Sequence, residues 1–340
     1  MATIGIDVSK KKLDLCWLRD AQAGKVKTRV FPNAHDHYPA LLSWLLKQID
    51  ASPGELQVYL EATGIYHEPL AYWLHQSGVT VYVLNPARVR YYARSLGDQG
   101  KSDKKDSKRI AYFAQANPEL TPWQPEPEEV RTLRQLAKRL ETVQKDIQRE
   151  QNRLEKAQFN RDTQAEHSIT HVLALLRREA KRLVKEVDDH IDRHDGLKRD
   201  RRLLESIPGI GEVLSVHLLV TLRSRRFKSG RQVAAFMGLV PVEWTSGSSV
   251  RHAPRLSKNG DPVLRQKLYM GAVVAMQHNP SIRRQYQRLC AAGKRKMSAL
   301  GAAMRKLVHI AYGVLAHQKE YEPQPTCCLL YTSDAADEKV

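Results

Sequence analysis

Cysteine is scarce in this chain of 340 residues, which holds four. Cys16, Cys290, Cys327 and Cys328 have neither the spacing of a metal-ligand set nor that of a disulfide framework, so they read as reduced thiols of a cytosolic protein. Long apolar runs are absent too. No stretch approaches the roughly eighteen residues of a membrane span, and the opening Met1 to Asp7 reaches a carboxylate too soon for a signal peptide. Acids are missing from one region in particular. Between Arg201 and Ile310, four of them (Glu205, Glu212, Glu243 and Asp261) face 20 lysines and arginines. The whole chain carries 55 cations against 37 acids, a net +18, so almost all of the excess lies in that C-terminal part. Such a concentration is the electrostatic footprint of a nucleic-acid binder. A membrane surface is disfavoured, because no basic helix carries a large apolar face to lie on it. The length, with 42% hydrophobic and 27% charged residues, suggests two or three soluble domains with real cores.

What is present is organised around Ser102 to Arg109, where Asp103 and Asp106 stand among Lys101, Lys104, Lys105, Lys108 and Arg109. On a helix a spacing of three puts both carboxylates on one face, about one turn apart. Paired acids suit a hard divalent cation. Magnesium prefers one or two carboxylates plus phosphate oxygens and water, and the surrounding cations favour a polyanion that brings those phosphates.

Upstream, Thr3 to Val8, Lys12 to Leu18 and Lys25 to Phe31 alternate as three short strands in a meander. Tyr38 to Ile49 reads as a helix with Leu41, Leu42, Leu45, Leu46 and Ile49 on one face. Leu56 to Leu60 is a fourth strand that delivers Glu61 at its end, a helix follows to Gln76, and Val79 to Leu84 is a fifth strand. A short basic helix with Arg88, Arg90 and Arg94 comes next. Three antiparallel strands followed by alternating helix and strand is the order of the ribonuclease-H-like α/β fold. In that architecture acids at the ends of the first and fourth strands and on a later helix converge, the places held here by Asp7, Glu61, Asp103 and Asp106.

A proline-rich linker from Pro122 to Pro127 separates this domain, residues 1–122, from two long helical patterns over 128–200. Their apolar residues recur by threes and fours, as in a coiled coil paired either as a hairpin or across a dimer. A third domain, 201–318, opens with a helix, the turn Pro208-Gly209-Ile210-Gly211, and a second helix. Glycines there let backbone N–H groups meet a phosphate, as in a helix-hairpin-helix module. Gln232 to Met237 is helical, Val240 to Trp244 extended, and Asp261-Pro262 caps a helix to about Gln277. Between them lies Ser246-Gly247-Ser248-Ser249-Val250-Arg251-His252, with Arg255 and Lys258 following, a hydroxyl-bearing loop in the most basic part of the protein. Tyr286 to Leu315 continues as basic helix, and 319–340 loses periodicity and reads as a disordered or artefactual tail.

Together Gly5-Ile6-Asp7, Glu61-Ala62-Thr63-Gly64, Lys101-Ser102-Asp103-Lys104-Lys105-Asp106, Ile207 to Gly211 and Ser246 to Arg251 resemble the insertion-sequence 110 transposases and their relatives, the pilin-gene invertases. The resemblance covers roughly residues 3 to 318. It implies an N-terminal RuvC-like domain, a coiled coil and a mostly helical, serine-bearing C-terminal transposase domain. It implies Mg2+ on Asp7, Glu61, Asp103 and Asp106, and Ser246 as the nucleophile, with Ser248 and Ser249 as competitors that spacing does not rank. Lys101, Lys104, Lys105, Pro208, Gly209, Gly211, Arg251, Arg255 and Lys258 are the expected nucleic-acid contacts. Donor and target double-stranded DNA, a structured guide RNA, and a dimer or tetramer of the chain are the implied partners, with no membrane. A cytoplasmic, prokaryotic-type, nucleoid-associated location follows. The reading is a recombinase that cleaves and rejoins strands through a phosphoserine. Its competitors are a Mg2+-dependent structure-selective or junction nuclease using water, and a non-enzymatic nucleic-acid scaffold.

Overall fold

The computed structural model describes residues 2–21, 23–97, 103–246 and 250–323. The chain divides into two compact units, Met1–Pro125 and Glu126–Val340.

In the first unit the alternating segments form β1 (Ala2–Val8), β2 (Lys12–Asp20) and β3 (Lys25–Pro32), an antiparallel meander. Helix α1 (Tyr38–Ile49) leads to β4 (Leu56–Glu61), and α2 (Glu68–Gln76) leads to β5 (Thr80–Leu84). Both later strands run parallel to β1, which gives the sheet order β3-β2-β1-β4-β5. The succession of three antiparallel strands and then alternating helix and strand is the one the sequence implied. Ile4, Ile6, Val8, Leu13, Leu15, Val58 and Leu60 point to one face of the sheet, where Leu41, Leu45, Leu70 and Leu74 of α1 and α2 close the core. The chain continues as α3 (Pro86–Ser95) and α4 (Asp103–Ala116), and Ile110, Ala111 and Phe113 of α4 pack on Tyr59, Tyr82, Cys16 and Leu18 at the other face. Burial pushes the Cys16 thiol up to about 11, so it is an inert core group. Trp123 donates its backbone N–H to Val81 O at 2.7 Å and sets its ring edge-on to Tyr72, so the start of the proline-rich stretch is anchored to this unit.

The second unit begins with α5 (Glu128–Phe159) and α6 (Thr163–Asp192), which pair within the chain as a hairpin. The turn between them closes on Asp162, whose side chain caps α6 at Ala165 N. Helices α7 (Asp195–Glu205), α8 (Glu212–Arg223) and α9 (Gly230–Phe236) follow, then β6 (Pro241–Ser246) and β7 (Val250–Leu256) as an antiparallel pair, then α10 (Pro262–His278), α11 (Pro280–Ala291) and α12 (Lys296–His317). Where the sequence reads one basic helix from Tyr286 to Leu315, the chain turns at Gly293 (φ +82°), a left-handed position that glycine tolerates without strain. The base of the hairpin, through Val130, Leu133, Val187 and Ile191, joins one core with Leu204, Leu219, Leu268 and Leu307. Within it Asp200 is fully buried, paired with Arg223 and hydrogen-bonded by Gln318 Nε2 at 3.0 Å.

A cavity of about 90 Å³ opens where α5, α6, α7, α8 and α10 meet, lined among others by Glu141, Asp188, Arg201, His217 and Lys267. His217 Nδ1 lies 3.4 Å from Glu141. Burial first, and then the Lys267 ammonium, push the imidazole down to about 4, so at neutral pH this is a contact of an uncharged ring with a carboxylate rather than an ion pair. Burial also raises the Glu141 carboxyl, with Asp261 adding to it. As pH falls from 6.5 toward 4, the unfolded chain takes up the His217 proton that the folded chain refuses. This costs up to about 3 kcal/mol of stability across that window. Glu141 acts oppositely and softens the lower end. Urea midpoints measured from pH 7 to 4.5 are expected to fall more steeply in the native protein than in His217→Gln.

Candidate active site

The parallel register of β1 and β4 pairs Ile6 with Leu60, so Asp7 and Glu61 are the next residues on neighbouring strands at one edge of the sheet. Both are half-buried. The period of two places Asp7 on the face of Gly5, opposite to the core face of Ile4 and Ile6. Helix α4 crosses that same face. A Cβ on Gly5 would lie 2.6 Å from Ala111 N and closer still to the Ser107 carbonyl, so only glycine lets the helix sit this low on β1. The Tyr112 hydroxyl lies 3.7 Å from where a Cβ on Gly24 would stand, in the β2–β3 turn beside the start of β1, while Ser107 stands over Gly5. Helix α4 therefore runs back along β1, and its first turn, with Asp103 and Asp106, points to the sheet edge that bears Asp7 and Glu61.

The sheet supplies a further carboxylate that the sequence did not flag. Asp14 on β2 is the direct register partner of Asp7, is only 5% exposed, and pairs with Lys12 Nζ at 3.2 Å. A buried like charge directly across from Asp7 is unfavourable unless a cation offsets it, and Lys12 supplies one to Asp14. Asp14 sits one residue from Leu13 and Leu15, and that alternation is the signal that would have put it on the outer face.

The loops behind the two strand-end acids are tied together by Asn33. Its Nδ2 donates to Ser9 O at 2.9 Å, just past β1, and to Tyr66 O at 3.1 Å, in the loop after Glu61. The buried Tyr38 hydroxyl donates to Asn33 Oδ1 at 2.7 Å and fixes the amide. Ser9 Oγ also donates to Lys12 O at 2.9 Å and closes the β1–β2 turn. Nothing in the sequence marks Asn33, because its partners are backbone carbonyls brought near by the fold.

Asp106 accepts from Arg109 Nη1 at 2.6 Å. The side chain of Asp103 lies outside the described residues, and among those described no three His, Cys, Asp or Glu groups are close enough together to hold an ion. The donor set fits a hard divalent cation in its chemistry: carboxylate oxygens only, two of them on adjoining strand ends.

The other expected positions lie as follows. Ser246 ends β6, in the second unit, paired in register with Val250 of β7; its side chain and that of Arg251 lie outside the described residues, as do Lys101, Ser248, Ser249 and the side chain of Lys104. β6 and β7 pair as two antiparallel strands, where the sequence reading had one strand and a loop. Lys105, Arg255 and Lys258 are exposed. In the turn between α7 and α8, Gly209 (φ +105°) presses on α10, where an added Cβ would lie 2.6 Å from Ala275 Cβ and Gly271 O. Its lack of a side chain is used in packing. Gly211, the N-cap of α8, is exposed with open space around it and remains the part of the turn available to a ligand.

A model of the IS110 DEDD family, described as transposase, matches residues 4–158, and a model described as transposase of the IS116/IS110/IS902 family matches 201–287. The pilin gene-inverting protein of Moraxella bovis is 30% identical over 322 residues, covering 94% of this chain and 97% of the relative. The IS110 uncharacterized 43.6 kDa protein of Streptomyces coelicolor is 31% identical over 123 residues, 35% of this chain and 30% of the relative. Among solved structures, T. thermophilus RuvC in complex with a Holliday junction substrate aligns with 36% of this chain and 99% of its own at 18% identity and a TM-score of 0.25. The chain is thus a transposase or recombinase, an enzyme that acts on DNA. It belongs to the IS110 family of transposases.

Proposed function

We propose that this transposase cuts and rejoins DNA through a phosphoserine bond made by Ser246, with Asp7, Glu61, Asp103 and Asp106 of a RuvC-like domain holding Mg2+. The observation that carries the proposal is the register that sets Asp7 and Glu61 side by side after β1 and β4 pair, with α4 lying against Gly5 on the face of Asp7.

A serine hydroxyl is a poor nucleophile at neutral pH and needs positive surroundings to release its proton. In the forward step a bond forms between Ser246 Oγ and phosphorus, the bond from phosphorus to the 3′ oxygen breaks, the hydroxyl proton is lost and the 3′ oxygen gains one. The bound cation would polarise the phosphate and neutralise the leaving oxygen. Arg251 offsets charge on the non-bridging oxygens, and Lys104 and Lys105 draw the backbone to the acids. Attack by another 3′ hydroxyl reverses the step and joins a new strand without ATP, because the phosphodiester energy is kept in the serine ester.

The finer parts of the reading follow the family. The α5–α6 hairpin serves as a coiled coil between copies in a dimer or tetramer, the α7–α8 turn as a helix-hairpin-helix that holds backbone phosphates at Pro208 and Gly211, and a structured RNA selects donor and target in the cytoplasm. No helix among the described residues is long and apolar enough to cross a membrane.

The test is a denaturing gel of protein with end-labelled DNA, Mg2+ and co-purified RNA. A DNA-linked protein band is expected, and it should vanish in Ser246→Ala. Cut ends without such a band, undiminished in that variant, would mean that water attacks instead.

A further inference from the structure

Helix α3 is the basic segment that the proposed chemistry leaves unused. It starts where the acid edge is: Ala62 N donates to Leu84 O, Glu61 pairs in register with Leu84, and Asn85 then caps α3 by accepting from Ala87 N at 2.8 Å. One side of the helix is packed, with Val89 and Ala93 buried, the Tyr92 ring edge-on to Phe113 of α4, and the Arg88 guanidinium over Phe113 at 5.5 Å. The other side carries Arg90, Tyr91 and Arg94, all exposed, with Tyr91 66% and the following Leu96 64% accessible. Helix α3 holds three arginines and no acid. Neither Arg90 nor Arg94 makes an ion pair among the described residues, and Tyr91 meets no other ring there.

Two arginines one turn apart would suit any polyanion, so the ring decides the partner. A duplex keeps its base faces inside its stack and offers an exposed tyrosine only sugar and phosphate. An unpaired strand offers flat apolar faces that stack on aromatic rings regardless of sequence. From Pro86 to Tyr91 the helix advances about 8 Å, and to Arg94 about 12 Å, a span of a few nucleotides from the acid edge.

We propose that the outer face of α3 is a binding surface for a single-stranded nucleic acid leaving the acid edge of the sheet, with a base stacked on Tyr91 and phosphates on Arg90 and Arg94. The assignment of the strand's direction rests on the acid edge being the place of cleavage; the binding itself does not. The strand is DNA opened beside the cut, since that is the nucleic acid the acid edge would release onto α3.

Full-length protein in EDTA, where no cutting is required, is irradiated with twelve-nucleotide DNA and RNA strands carrying 5-iodouracil, and the crosslinked peptides are mapped. Crosslinks at Tyr91 are expected. Tyr91→Ala should weaken single-strand binding about five- to fifty-fold, Tyr91→Phe should retain it, and duplex affinity should change less than twofold. The double variant Arg90→Ala/Arg94→Ala should flatten the single-strand log-log salt slope by about 1.4. Dependence on Tyr91 for DNA, with or without the same dependence for RNA, is expected, and dependence for RNA alone would overturn the assignment to DNA. Crosslinks only elsewhere, equal losses for duplex and single strand, or Tyr91→Ala binding like wild type would overturn the proposal. Because Asp7→Asn protein can be used in the same assay, failure here is separable from failure of the cleavage chemistry.

Discussion

Asp7→Asn is expected to reduce DNA cleavage and strand transfer by roughly 10³-fold or more while the protein stays folded. A carboxylate that holds a divalent ion contributes to the transition state through that ion, a term worth several kcal/mol that an amide of the same shape does not replace. Stability should move the other way. Asp7 stands directly across from buried Asp14 in the β1–β2 register, and removing one of two facing like charges relieves repulsion of a few tenths of a kcal/mol up to about 1 kcal/mol. Glu61→Gln should show the same loss of cleavage. Initial rates in Mg2+, paired with melting curves in EDTA, check both halves. A variant that loses activity only because it unfolds would fail the second.

Gly5→Ala is the second large effect, and it acts through packing. The added methyl would be driven into backbone atoms of α4, Ala111 N at 2.6 Å and the Ser107 carbonyl, and backbone cannot swing aside as the end of a side chain does. Overpacking of this kind costs roughly 2–3 kcal/mol, which for a unit of this size lowers its melting temperature by roughly 10 °C. The displaced helix also carries Asp103 and Asp106 away from the strand ends, and misplacement on the order of 1 Å costs about 10²-fold in rate. Calorimetry should show the first unit melting early. An unshifted first transition would mean that α4 does not rest on β1 as described.

The architecture of the first unit was legible because its strands alternate cleanly, so that Ile4, Ile6 and Leu60 on one face leave Asp7 and Glu61 at the far ends. That α4 crosses the face that bears Asp7 was legible only as topology. The sequence holds Gly5 in plain view, but that its missing Cβ seats a helix depends on a contact over a hundred residues away. Asp14 and Asn33 escaped for the same reason: one matters through register, the other through carbonyls of two distant loops. In the second unit β7 was read as loop because Arg251, His252 and Pro254 disguise the pairing of Val250 with Ser246. The break between α11 and α12 was hidden by Ala291 and Ala292, which suit a helix as well as a turn, so that only the backbone angle at Gly293 reveals it. Gly209 was legible as special but not as to purpose, since the pressure on it comes from α10.

The central claim is that the ends of β1 and β4 and the first turn of α4 share one divalent ion. Anomalous diffraction from Mn2+ in crystals of the protein bound to uncut DNA tests it most directly. The expected result is a peak at about 2.0–2.3 Å from carboxylate oxygens of Asp7 and Glu61, beside the first turn of α4. Ordered DNA at these residues with no manganese between them, or manganese bound only to other groups, would contradict it.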